Sequence, residues 1–333
     1  MLICSRAFKL SIYLILALFT SASGCKKQDN TAASGAEAGD NSSPAIVEIP
    51  EVFPPLPTPR MIGNEIEFYE IQIAGNGPGR PMKLNLYLPT GRHDPKSLPC
   101  VFIAPAGSGN HGSIIDDSDR AEHYPYVRAG FAVMAYELSG PVANPRATTM
   151  TWREAIPAIE EFMRSDGGLI NGKIAIDYAL KKVPEVDPNQ LFACGHSSSA
   201  VVSLNLARGD SRIRACCAYA PSTDVEAWWK PARVENHVPG FTAFAERKSP
   251  RRHVEDFSCP VFLFHADDDS MVALSDNQRF ANAMKDAGKR ITFERVKSGD
   301  HYDSMIEHGI PDGIAFMQSN GAKPLPPVTH GPK

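Results

Sequence analysis

The sequence has no surplus of positive charge. Its 333 residues include 34 lysines and arginines against 38 aspartates and glutamates, a formal net charge of −4. Such a chain has no basic excess to hold a run of phosphates, which argues against nucleic acid as a partner. A comfortable membrane span is also missing, because the apolar run Leu10 to Ala22 is too short to cross a bilayer as a helix. No segment repeats, no spacing of His, Cys and acidic residues suits a metal, and nothing in the sequence asks for a cofactor. Cysteine is sparse. Setting aside Cys4 and Cys25, an odd five remain: Cys100, Cys194, Cys216, Cys217 and Cys259. Most lie in or beside apolar runs, so they read as small buried hydrophobes, with room for one disulfide in an oxidising compartment. What is present is ordinary for a globular protein: 43% hydrophobic and 22% charged residues.

The first 25 residues read as an export signal. Arg6 and Lys9 precede the apolar run without an acidic residue, and Ser21-Ala22-Ser23-Gly24-Cys25 follows it. Small residues ahead of a cysteine resemble a bacterial lipobox. The expectation is therefore a leader over 1–24 and a lipidated Cys25, with plain secretion as the alternative. Lys26, rather than an aspartate, after the cysteine favours an outer-membrane anchor facing the periplasm. Loss of Arg6 and Lys9 would leave the mature chain more acidic than the precursor. Residues 25–60 are rich in Ala, Gly, Ser, Asp and Pro and read as a spacer. Residues 61–320 are expected to form one domain, and 321–333 a loose tail.

Within that domain short apolar runs alternate with helical periodicity. Ile66–Ile73, Met82–Leu88, Cys100–Pro105, Phe131–Tyr136, Leu191–Cys194, Ile213–Tyr219, Val261–His265 and Ile291–Val296 read as strands. Helical stretches fall at 119–129, 151–164, 173–182, 198–207, 274–287 and 311–319. This alternation predicts a mostly parallel sheet covered by helices on both faces. Ligands in such sheets sit beyond the carboxyl ends of the strands.

The chemistry-bearing residues fall at those ends. Leu191–Cys194 runs into Gly195-His196-Ser197-Ser198-Ser199-Ala200, and a helix follows. This is the strand–turn–helix setting of a nucleophile elbow, with Ser197 as nucleophile and small residues at 195 and 199. After Val261–His265 comes Asp267-Asp268-Asp269; Asp269 is the candidate acid, with Asp267 and Asp268 competing. After Ile291–Val296 comes His301, the candidate base. An oxyanion hole needs two N–H groups, one from Ser198 and one from the Gly-rich turn after Cys100–Pro105, at Gly107 or Ser108. The expected reaction is two-step acyl transfer, with activity rising near the ordinary histidine range of about 6.5–7.

Asp177–Ala200 resembles the prolyl-oligopeptidase and dienelactone-hydrolase branches of the α/β hydrolases. Asp187-Pro188 ahead of the nucleophile strand and Ser249–Val254 with Cys259-Pro260 ahead of the acid strand are similar to the same group. The resemblance implies an α/β-hydrolase fold with a small cap insertion near 221–248. Trp228 and Trp229 in that insertion are candidates for lining a substrate pocket, or for packing the cap. His111, Asp116 and Asp117 would border the site. Ser199-Ala200 departs from the usual Gly-Gly, and Ser198 stands where the peptidases often have a tyrosine. There is no room for the β-propeller of oligopeptidases. A small ester or lactone is the implied substrate, with a short peptide as the alternative. A surface lipoprotein that binds without catalysis is a reading from a different class.

Overall fold

The computed structural model describes residues 49–74, 81–107, 109–142 and 150–323. The expected leader, Cys25 and most of the expected spacer lie outside these residues, as do Ser108 and residues beyond 323. No described helix is long and apolar enough to cross a membrane.

Nine strands form one sheet among the described residues. They are β1 (Arg60–Ile62), β2 (Ile66–Ile73), β3 (Met82–Pro89), β4 (Leu98–Ile103), β5 (Ala132–Tyr136), β6 (Val186–His196), β7 (Ile213–Tyr219), β8 (Val261–Ala266) and β9 (Ile291–Val296). Their order is β1-β2-β3-β5-β4-β6-β7-β8-β9. The first three strands and the β3–β5 pair are antiparallel, and everything from β5 to β9 is parallel.

The strands of the parallel part read as unbroken apolar runs because both faces are covered. In β4, β5 and β8 every residue is buried. The pleat then divides the side chains between two cores. Leu191 and Ala193 of β6 and Leu263 of β8 face one core, whereas Phe192, Cys194, Phe262 and Phe264 face the other. The first core is covered by α2 (Trp152–Arg164), α3 (Leu169–Lys182) and α4 (Ser198–Gly209). The second is covered by α1 (Arg120–Arg128) and the C-terminal helix, Ile310–Ser319. The five cysteines are buried and free, so no disulfide is formed among them.

Between β7 and β8 the chain inserts α5 (Val225–Trp229) and α6 (Phe241–Lys248), joined by two 3₁₀ turns. This is the small cap expected near 221–248. After β8 follow α7 (Leu274–Asp286), β9, α8 (Asp300–Ser304) and, after a π turn, α9 (Ile310–Ser319).

The domain is longer than 61–320 at both ends. Phe53 is buried, its ring 5.7 Å edge-on from that of Tyr178, with Lys181 Nζ 5.0 Å above it. Leu56 packs on the same core. At the other end Ala322 is buried and the Lys323 amide donates to Gln190 Oε1 at 2.6 Å. Composition marked 25–60 as coreless because two apolar anchors are diluted among Pro, Gly, Ala and Ser.

Candidate active site

The elbow is built from crowded backbone. β6 ends at His196, α4 begins at Ser198, and Ser197 between them has φ 56° and ψ −121°. A serine held in that region costs on the order of 1–3 kcal/mol, a strain that persists only where the surroundings impose it. Here the Ser197 amide donates to the Tyr219 carbonyl at 2.8 Å, extending the β6–β7 ladder through the turn. Gly195 is required by space: an added Cβ would lie 2.5 Å from the Ser199 carbonyl oxygen and 2.7 Å from Ser203 Oγ. Gly195→Ala should therefore lower stability by about 2–3 kcal/mol, read from urea unfolding. A loss under about 0.5 kcal/mol would mean that the elbow can relax.

Ser199 is more than a small residue. Fully buried, its hydroxyl accepts from the His196 amide at 2.9 Å and contacts the His196 carbonyl at 3.0 Å. It laces the elbow where a glycine would leave those groups unbraced. Ser198 faces the other way, into the cavity. Its Oγ accepts from the Gly107 amide at 2.7 Å. The two expected oxyanion donors thus meet, but the Gly107 N–H is occupied by the Ser198 hydroxyl rather than open.

The three consecutive aspartates separate by partner. Asp267 is engaged by Arg295, with Nη2 at 2.7 Å. Asp268 accepts from the Gly299 and Asp300 amides at 3.2 and 2.9 Å. Asp269 alone meets His301, whose Nδ1 donates to Oδ2 at 2.8 Å. Its Oδ1 accepts from the Met271 and Val272 amides at 2.8 and 2.9 Å. Burial by itself would raise the Asp269 carboxyl, but the His301 contact and the two amides outweigh it and hold the group below its ordinary value.

Two features that the sequence reading missed hold the loops of Asp269 and His301 together. Asp300 Oδ1 accepts from the Ser270 amide at 2.9 Å while its own amide is held by Asp268, so the two loops clasp each other. His196, beside Ser197, donates from Nε2 to the His301 carbonyl at 2.9 Å, and the two rings lie 4.5 Å apart. Burial pushes the His196 imidazole down to about 3, so it is neutral at physiological pH. His265 Nε2 donates to the Val272 carbonyl at 3.1 Å and lies 3.5 Å from Asp269, and burial likewise lowers it. Positive φ at Ala220, as at Ser197, marks the carboxyl ends of the neighbouring strands β7 and β6.

His301 Nε2 is buried and has no hydrogen-bond partner among the described residues. The contact to Ser197 is thus not made as a hydrogen bond in this structure. Ser197 opens into a cavity that is mostly apolar, walled by Trp228 and Trp229 of the cap, Val202 of α4, Phe244 of α6, and Met271 and Val272 beyond the acid. His111 also lines it, whereas Asp116 and Asp117 do not. Asp116 caps the 3₁₀ turn at 117–119 and Asp117 pairs with Arg120. Their short polar side chains served the local turn, a role that sequence position next to the site concealed.

The comparisons agree with this architecture. Residues 173–319 match the prolyl oligopeptidase family. No curated protein matches the chain. Among solved structures, esterase 2 of the planctomycete Thermogutta terrifontis is similar at 18% identity and a TM-score of 0.58, covering 80% of this chain and 98% of that one. An acetyl xylan esterase from Paenibacillus sp. R4 is similar at 17% identity and a TM-score of 0.58, covering 78% and 85%. A puromycin-hydrolyzing peptidase of Mycobacterium tuberculosis is similar at 19% identity and a TM-score of 0.58. This chain spans only 40% of that protein. The chain has the α/β-hydrolase fold, and its residues 173–319 match the prolyl oligopeptidase family.

Proposed function

We propose that the protein is a serine hydrolase acting on carboxylic esters. Ser197 is the nucleophile, His301 the general base, and Asp269 the group that orients and stabilises the imidazolium. The observation that carries this reading is the bond from His301 Nδ1–H to Asp269, which leaves Nε2 as a bare acceptor. A base in that tautomer can take the Ser197 proton as the hydroxyl attacks a carbonyl, and later hand it to the leaving group. Such bonds are commonly open before substrate arrives and tighten in the complex. The Ser198 amide is the first oxyanion donor. Gly107 is the second, its N–H released when the substrate oxygen displaces the Ser198 hydroxyl. Water then resolves the acyl-enzyme.

The apolar cavity beside Ser197 and the absence of any lining carboxylate among the described residues support an ester over a peptide. A free amino terminus would find no counter-charge there. Matched butyrate ester and anilide substrates test this, with a fluorophosphonate adduct located on Ser197. The ester is expected to react faster by more than the difference in intrinsic reactivity. Anilide turnover matching the ester would favour the peptidase reading. No adduct and no turnover would leave the non-catalytic binding module.

The pH profile offers a second check. Three imidazoles crowd the triad, but His196 and His265 have lowered values and are neutral where the enzyme works. Asp269 is held ionised. Neither His196 nor His265 should therefore add a proton to the acid limb of log kcat/KM, whose slope against pH should not exceed one. A slope of two would place a second of these imidazoles in the mechanism. The proposal extends to export and to a lipid on Cys25, resting on the leader-like residues 1–25.

A further inference from the structure

His111 lies on the segment that follows the Gly-rich turn, and its ring lines the same cavity as Ser197. The segment is not a free loop. The Gly112 amide donates to the Gly140 carbonyl at 2.9 Å, and the Ser113 carbonyl accepts from the Leu138 amide at 3.0 Å. A Cβ on Gly112 would fall 2.1 Å from the Ser139 carbonyl oxygen, so the backbone is pressed against the exit of β5. Two residues earlier, Gly109 approaches the elbow: an added Cβ there would lie 3.3 Å from Ser198 Cβ. The position of the ring relative to the elbow is therefore set by backbone contacts on both sides.

The tautomer of His111 follows from one bond. Nδ1 lies 2.8 Å from the Gly112 carbonyl oxygen. A carbonyl only accepts, so Nδ1 carries the proton. Burial lowers the value of the ring despite that bond, which keeps it neutral. Nε2 is then a lone-pair acceptor. The residue is only 7% exposed, and the one hydrogen bond its ring makes among the described residues is at Nδ1. An acceptor placed this way selects for a hydrogen-bond donor on whatever fills the cavity. The donor should be neutral, because no carboxylate lines the cavity among the described residues and Lys248 supplies the one formal cation of the lining. The hydroxyls of Ser113 and Ser222 line the same cavity and can serve a polar, uncharged group.

We propose that His111 is a specificity residue whose Nε2 accepts a hydrogen bond from a neutral substrate hydroxyl, so that the preferred substrate is an ester of a polyol or of a hydroxy acid. This rests on Ser197 being the nucleophile of an esterase. The test compares three butyrates that share a three-carbon alcohol chain: the glycerol 1-monoester, the propyl ester, and the glycerol monoester with both free hydroxyls methylated. An ethyl 3-hydroxybutyrate and ethyl butyrate pair examines the acyl side. Wild-type protein should favour the hydroxyl-bearing member of at least one series by roughly tenfold or more in kcat/KM. The methylated ester should lose that advantage. In His111→Phe, which keeps a planar ring without the acceptor, the ratio should fall to near one, whatever the absolute rates. Equal wild-type rates on hydroxyl and methylated esters overturn the proposal, and this arm needs no variant. A preference that survives in folded His111→Phe also overturns it, as does a preference confined to amide N–H donors when ethyl N-acetylglycinate is compared with its N-methyl form. Turnover of propyl butyrate with an adduct on Ser197 tests the hydrolase reading alone, so the two failures are distinguishable.

Discussion

Ser197→Ala should lower kcat/KM on a short acyl ester by roughly four to six orders of magnitude and abolish the fluorophosphonate adduct. The loss is this large because the remaining groups have nothing to deliver. His301 would keep its bond to Asp269, and the Ser198 amide would still stand beside the reaction centre, but no oxygen would attack. The structure makes a companion variant informative. Ser197 sits at φ 56°, a conformation that a Cβ disfavours and glycine tolerates. Ser197→Gly should be equally inactive yet more stable than Ser197→Ala by about 1 kcal/mol, seen in urea unfolding. If Ser197→Ala retained a tenth of the wild-type rate, the nucleophile would have to be sought elsewhere. If the two variants were equally stable, the strain at the elbow would not be real.

Asp269→Asn should cost about 10⁴-fold in kcat with little change in stability. Oδ1 of Asp269 receives two backbone N–H groups, from Met271 and Val272. An amide in its place must keep its oxygen on that side, because an NH₂ there would face two donors. The NH₂ is then turned toward His301 Nδ1. That nitrogen becomes an acceptor, and the ring proton moves to Nε2, which is then a donor and cannot take the serine proton. The effect is on kcat rather than on substrate binding, since the lining of the cavity is unchanged. A loss of less than tenfold would mean that His301 is oriented by its other tether, the bond from His196 Nε2 to its carbonyl. Asp267→Asn, by contrast, touches only the bridge to the exposed Arg295 and should leave kcat within about twofold, as expected for a surface pair.

Much of this site was legible in the chain because it is written in local pattern. An apolar strand, a turn of small residues and a helix follow one another around Ser197, and each signal spans only a few neighbours. The order serine, acid, base along successive strand ends is likewise a property of the linear sequence. The parallel strands could be located from their continuous apolar character, though not their order in the sheet. The choice among the three aspartates was harder, because all are short carboxylates after the same strand. Position favoured Asp269, and the fold separates it from the others by bringing Arg295 to Asp267 and the Gly299 and Asp300 amides to Asp268.

What the sequence by itself determined is local: Ser197 in the tight turn between an apolar strand and a helix, and an aspartate and a histidine arriving after later strands. What only the tertiary structure decided lies between residues far apart in the chain. The Ser198 hydroxyl closes on the Gly107 amide 91 residues away, His196 holds His301 across 105, and Phe53 docks on Tyr178 across the whole first half of the domain. The placing of His111 belongs here too, since the Gly112 amide reaches the Gly140 carbonyl and pins the segment beside the exit of β5. Local pattern follows from backbone preference and side-chain spacing, which neighbouring residues are enough to set. A hydrogen bond or a cavity wall depends on where the sheet order and the cap bring distant segments, and that is settled by the packing of the whole domain.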